Sequence, residues 1–152
     1  MSGDILTNAA RDDLRRDLRT PIDYIVGYAE MLIEDAVEAS AGERKAVLEE
    51  VLAAAREVLG QVNSTLAPSR PAVACAEVRP LYIALREPQQ RIIRSVQSLL
   101  ASAAVLPGDP LEQDLRRILK AAGQLVPADA AAAGVPAVNG RAQALRATAA
   151  AR

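Results

Sequence analysis

The amino-acid sequence predicts an all-α protein, a four-helix bundle assembled from two repeated helical hairpins. Three observations carry that expectation. The composition is 51% hydrophobic but only 2% aromatic, with no Phe or Trp. A core must then be filled by Leu, Ile, Val and Ala, which suits close-packed helices better than an aromatic-rich barrel or sandwich. Apolar residues recur at steps of three and four along several stretches, a spacing that puts them on one helix face. The pattern of the first two such stretches also returns, without a gap, 67 positions later.

The first helix is expected over residues 4–38. Leu14, Leu18, Ile22, Ile25, Ala29, Leu32 and Ala36 form its stripe, and Ile5 and Leu6 lead into it. Residues 1–3 are expected to fray, and Asp4 to cap the helix by accepting from free first-turn amides. Pro21 sits inside this helix, where it removes one donor and should kink or loosen the turn before it. Ala39 to Gly42 reads as a short connection, so the second helix, over 43–66, runs antiparallel to the first. Its stripe is Leu48, Val51, Leu52, Ala55, Val58, Leu59, Val62 and Leu66, while Glu43, Arg44, Lys45, Glu49, Glu50 and Arg56 lie off it and face water. Residues 67–79, punctuated by Pro68, Ser69 and Pro71, read as a linker, and Pro80 suits the first turn of a third helix over 80–105. Pro107, Gly108 and Pro110 mark a break before a fourth helix over 111–126. Residues 127–152 are Ala-rich, interrupted by Gly134, Pro136 and Gly140, and read as a flexible or weakly helical tail. The chain thus divides into a hairpin (1–66), a linker (67–79), a second hairpin (80–126) and a tail (127–152).

The repeat is specific. With an offset of 67, Leu14 meets Leu81, Leu18 meets Leu85, Arg19 meets Arg86, Pro21 meets Pro88, Ile25 meets Ile92 and Leu32 meets Leu99. The register carries through the turn: Leu48 meets Leu115, Val51 meets Ile118, and Ala54 and Ala55 meet Ala121 and Ala122. Helical periodicity alone aligns the apolar residues but not an in-helix Leu-Arg-x-Pro as well. An internal duplication is therefore expected, with two hairpins that superpose and bury their stripes against each other. A homodimer of the chain remains a second way to bury the same surface.

Composition also excludes functions. A net charge of −1 gives no global field for nucleic acid. One cysteine, Cys75, and no histidine leave few ligands for a transition metal, so no metal or cofactor is expected. No apolar run approaches the ~20 residues that span a bilayer, and no signal-peptide pattern opens the chain. The expectation is a cytoplasmic protein without membrane insertion.

The stretch Arg15 to Leu32, RRDLRTPIDYIVGYAEML, carries the most specific motif. It resembles the phosphoacceptor helix of the dimerisation and histidine-phosphotransfer (DHp) domain of sensor histidine kinases. That helix carries His-Glu/Asp-x-Leu-Arg-Thr-Pro followed by an apolar run with a Gly-Tyr near its middle. Asp17, Leu18, Arg19, Thr20 and Pro21 match, as do Gly27, Tyr28, Glu30, Met31 and Leu32. At the phosphoacceptor position stands Arg16, and in the second repeat Ile83. The resemblance implies a helical hairpin that completes a four-helix bundle, and a partner from two-component signalling, a receiver domain or a histidine kinase. It also implies loss of the chemistry, because a guanidinium stays protonated and has no lone pair with which to attack phosphorus.

Around that position several residues admit two readings. Asp17 and Thr20 occupy positions that assist phosphotransfer and orient a water for receiver dephosphorylation in the family. Alternatively, Asp17 is a solvated charge, and Thr20 fills the carbonyl gap left by Pro21. Arg15, Arg16 and Arg19 form a basic cluster able to dock a receiver's acidic pocket. Alternatively they are a solvated face balanced by Asp12, Asp13 and Asp23. Tyr24 and Tyr28, one turn apart, read as core edge or a packing patch, and Cys75 has no neighbour to activate it. The expected protein is no enzyme but a silent DHp-like binder. The alternatives are a residual receiver phosphatase using Thr20 and Asp17, or a dimerisation and signal-transmission segment of a larger chain.

Overall fold

The computed structural model describes residues 4–102 and 105–126, within which the chain forms four α-helices. The expected fraying of 1–3 and the character of 127–152 lie outside the described residues. Helices α1 (Asn8–Glu38), α2 (Gly42–Thr65), α3 (Val78–Ala101) and α4 (Pro110–Gly123) pack in a ring, α1 on α2 and α4, and α3 on α2 and α4. The all-α bundle expected from the sequence is what the chain adopts, and its four helices close on one another within a single chain.

The stripes read from the sequence form the core. Leu14, Leu18, Ile22, Ile25, Ala29, Leu32 and Ala36 of α1 are buried, as are Leu48, Val51, Ala55, Val58 and Val62 of α2. Leu52 and Leu59 sit only half-buried at its edge. The repeat register holds residue by residue: Leu14 and Leu81, Leu18 and Leu85, Pro21 and Pro88, Ile25 and Ile92, Leu32 and Leu99, Leu48 and Leu115, Val51 and Ile118, and Ala55 and Ala122 are buried in both hairpins. Both helices run unbroken through their prolines.

The ends differ from expectation. Asp4 does not cap α1. Its carbonyl instead accepts the Cys75 amide at 2.7 Å, while the Leu6 amide donates to the Val73 carbonyl at 2.9 Å, so residues 4–6 form a short antiparallel bridge with the linker. The cap is Thr7, whose Oγ1 accepts the Ala10 amide at 3.0 Å. The turn after α1 is a Schellman closure: the Ala41 amide reaches the Ala36 carbonyl, and the Ser40 amide the Val37 carbonyl. The left-handed residue there is Ser40 (φ 54°) rather than the nearby Gly42. Helix α3 stops at Ala101, four residues short of the expected 105, where Ser102 turns extended and its hydroxyl donates to the Leu99 carbonyl. Helix α4 starts on Asp109, whose carboxylate accepts the Leu111 amide, with Pro110 in the first turn. It ends at Gly123, three residues before the expected 126, although Leu125 and Val126 remain buried beyond it.

The linker is a structured element. Val73 is buried under the bundle end. Arg70 donates to the Thr65 carbonyl and grips Glu77 through two nitrogens, at 2.9 and 3.2 Å, and the Glu77 carboxylate also accepts the Ala74 amide. Arg11 of α1, only 7% exposed, donates to the Arg70 carbonyl at 2.8 Å and to Asn8 at 3.1 Å. This network ties the start of α1 to the linker. Cys75 lies beside it, and burial and the Asp4 charge push its thiol pKa up, away from reactivity.

Candidate functional site

Seven residues from Arg15 to Pro21 make just under two turns of α1. Leu18 and Pro21 face the core, so the residues half a turn away must face out. Arg16 does: its side chain is 66% exposed and pairs with Asp13 one turn earlier. The solvated-face reading therefore has its partner in Asp13, one of the three acids expected to supply it. Asp17 and Thr20 are also exposed, while Arg15 and Arg19 are half-buried along the flank of the helix. The Nε of Arg19 is shielded from solvent and meets no hydrogen-bond acceptor among the described residues.

Thr20 does not act as expected on the gap at Pro21. The amide that Pro21 lacks is the one aimed at the Asp17 carbonyl, four residues back. The Thr20 hydroxyl donates at 2.8 Å to the Arg16 carbonyl instead, one position earlier. This is the usual back-bond of a helical Thr, geometrically the easier reach. It fixes the Thr20 oxygen with its lone pairs outward, one turn from Arg16.

Beside Thr20 opens a cleft of ≈ 390 Å³ between α1 and α4, lined by Thr20, Pro21, Tyr24, Arg117, Lys120 and Gln124. Tyr24 and Tyr28 form its rim as a tilted ring pair with centroids 4.7 Å apart. Tyr28 is half-buried and packs against the core, while Tyr24 is 44% exposed, so the pair sits at the core edge with Tyr24 outermost. Its hydroxyl donates to that of Tyr28, which holds the Tyr24 pKa above the ordinary phenol range. The Arg117 guanidinium stands 6.0 Å over the Tyr28 ring and pairs with Asp114 at 2.8 Å. This cleft was not legible in the sequence, because its two walls are about a hundred residues apart. Only the repeat, which implies an α1–α4 contact, pointed towards it.

The second repeat places different chemistry at the matching positions. Ile83, at the Arg16 position, is 51% exposed, an apolar side chain on a water-facing turn. Tyr82, at the Arg15 position, is buried, which pushes its pKa up to about 12, with the Asp17 charge adding to the shift. Pro88 is buried as Pro21 is, and Glu87, at the Thr20 position, is in an ion pair with Arg91. Any Thr-and-acid pair is therefore confined to the α1 side.

Among the described residues no group of His, Cys, Asp and Glu is placed to hold a metal ion. None of the described helices is long and apolar enough to cross a membrane. Compared with known proteins, the chain matches no family model, no curated protein and no solved structure.

Proposed function

We propose that this chain is a catalytically silent DHp-like bundle of bacterial two-component signalling, acting in the cytoplasm. It binds a receiver domain or a histidine kinase and works by scaffolding, sequestration or inhibition rather than by chemistry. What supports the reading is the placement of Arg16. It stands where the motif carries its phosphoacceptor, at the outer point of an unbroken α1, within a bundle whose two hairpins share one buried register.

A fixed cation at that point complements the acidic pocket of a receiver. Arg16 holds Asp13 in an exposed pair one helical turn apart, the kind worth about 0–1 kcal/mol. Exchanging Asp13 for a partner carboxylate sacrifices little and gains charge-assisted contacts of about 1.5–3 kcal/mol each. The test is binding of the purified chain to the receiver domains of its host. Arg16→Ala should weaken the complex about tenfold, since 1.4 kcal/mol is a factor of ten. Arg16→Glu should weaken it further, and added salt should weaken the native complex. Native-strength binding by Arg16→Glu would remove α1's outer face from the interface.

The alternative, a residual phosphatase for a receiver's aspartyl phosphate, draws on Thr20 and Asp17, both exposed on α1. With its hydrogen given to the Arg16 carbonyl, the Thr20 hydroxyl offers an incoming water only an acceptor. The lifetime of a phosphorylated receiver separates the two readings. The binder leaves it unchanged, whereas the phosphatase shortens it in a way that Thr20→Ala abolishes.

A further inference from the structure

We infer that the bundle has one docking face and not two, and that it takes a single acidic-surfaced partner per chain along the α1–α4 cleft. The inference rests on the binding reading above and names the surface and the stoichiometry.

A bundle of two repeats presents two related faces, α1 with α4 and α3 with α2. The repeat pairs their residues one to one, and at four of these positions the second face is the more acidic. Arg117 on the first face answers to Glu50 on the second, Lys120 to Ala53, Gln124 to Glu57, and Thr20 to Glu87. The first face carries Lys120, exposed and in no ion pair among the described residues, in the same cleft as Arg117 and as Thr20, which lies one turn from Arg16. Its cleft is open, with an aromatic rim at Tyr24 and Tyr28.

The second face is closed at the same place. The Tyr24 position is Arg91, which reaches across from α3 to Glu57 of α2 at 2.6 Å and back to Glu87 at 3.0 Å. That bridge spans the groove where the first face has its cleft, and it holds one cation between two acids. An anionic surface attracted to Arg16, Arg117 and Lys120 meets Glu50, Glu57 and Glu87 on the other side and is repelled. Two equal faces would hold two partners, but these faces can hold one.

The experiment is titration calorimetry of the full chain against each host receiver domain, with sedimentation of the chain alone. Two variants on exposed helix positions, Lys120→Glu and Glu50→Lys, are compared after circular dichroism has verified their helicity and melting. The expected result is one receiver per chain, at least tenfold weaker binding for Lys120→Glu, and binding within about twofold of native for Glu50→Lys. Two receivers per chain, equal losses in both variants, or no loss in either would overturn the single-face inference while leaving receiver binding intact. Self-association of the chain that Lys120→Glu abolishes would make a second copy the occupant and overturn it as well. If no receiver binds, the functional reading fails and the inference fails with it.

Discussion

Arg11 is a charged side chain at 7% exposure, in a position where its repeat counterpart is Val78. A buried guanidinium is costly unless its donors are met, and here the Arg70 carbonyl and Asn8 meet the two terminal nitrogens, while Nε finds no acceptor among the described residues. Arg70 is in turn held by Glu77, whose carboxyl pKa falls below its ordinary 4.5, first because of the Arg70 hydrogen bond and then because of the Ala74 amide. The sign follows directly. A carboxyl whose folded pKa is depressed stabilises the fold above its unfolded value, and that contribution is lost as pH falls through the folded value. Glu77 and Arg70 are each about a third exposed, so solvent screening keeps the effect modest. Glu77→Gln should therefore melt below the native chain at neutral pH, with the gap closing as pH drops through and below 4.5. A gap independent of pH would mean that the charge adds nothing beyond the hydrogen bonds. None of this was legible in the sequence. Arg11 and Arg70 are 59 positions apart, and no local pattern announces that a proline-punctuated linker will fold back. The same remoteness explains Asp4, a competent cap whose segment is diverted into a bridge with residues 73–75, leaving Thr7 to begin the helix.

At the scale of elements, helical stripes were readable and helix ends were not. Stripes follow from periodicity, which is why every residue of the α1 stripe from Leu14 to Ala36 is buried. Ends follow from which carbonyls and amides find partners, and those partners are often distant. Helix α4 shows this best. It has 14 residues where α2 has 24, so its last carbonyls appear where α2 is still helical. Gln89 of α3, 4% exposed, donates to the Ala122 carbonyl at 2.8 Å, which also accepts the Leu125 amide, and to the Val126 carbonyl just past the helix at 3.2 Å. In the first repeat the equivalent carbonyls, of Ala55 and Leu59, lie inside α2, and the residue at the Gln89 position is Ile22. One apolar-to-amide exchange between the repeats thus compensates for a helix cut short. Gln89→Ala should destabilise the chain by about 1–3 kcal/mol in denaturant unfolding, the range for a buried polar group left unmet, and should loosen α4's last turn in amide exchange. An unfolding midpoint within error of native would show that water serves those carbonyls equally well. The prolines were readable as a repeated signal. Their burial at one register, in helices that continue past them, gives them a packing role in both hairpins.

For the whole molecule, the question is what completes each hairpin. Helix α1 buries one side of its stripe against α2 and the other against α4, and α2 is likewise shared between α1 and α3. Residues 1–66 alone would leave half of that surface exposed, including parts of Ile22, Ile25, Val51 and Val58, which are fully buried in the chain. At about 25 cal/mol per Å² of apolar area, such a surface drives association strongly. The register says which partner fits. Where α4 and the residues just past it present Leu115, Ile118, Ala122 and Leu125 to the core, α2 of a second copy would present Leu48, Val51, Ala55 and Val58. Two copies of the first hairpin can therefore rebuild the ring with like residues in like places, with Ile22 filling the Gln89 position in a bundle that has no short helix to cap. The fragment 1–66 should be a helical homodimer by sedimentation, dissociating and losing helicity together on dilution, whereas the full chain should sediment as a monomer. The fragment dimer should be the weaker fold, because Arg11 loses the Arg70 carbonyl and residues 4–6, leading into α1, lose their bridge to residues 73–75. A fragment that stayed monomeric and fully helical would show that one hairpin stands alone. A fragment that stayed unfolded at every concentration would show that the two hairpins are not interchangeable. Either outcome would break the link between the repeated sequence and the symmetric core.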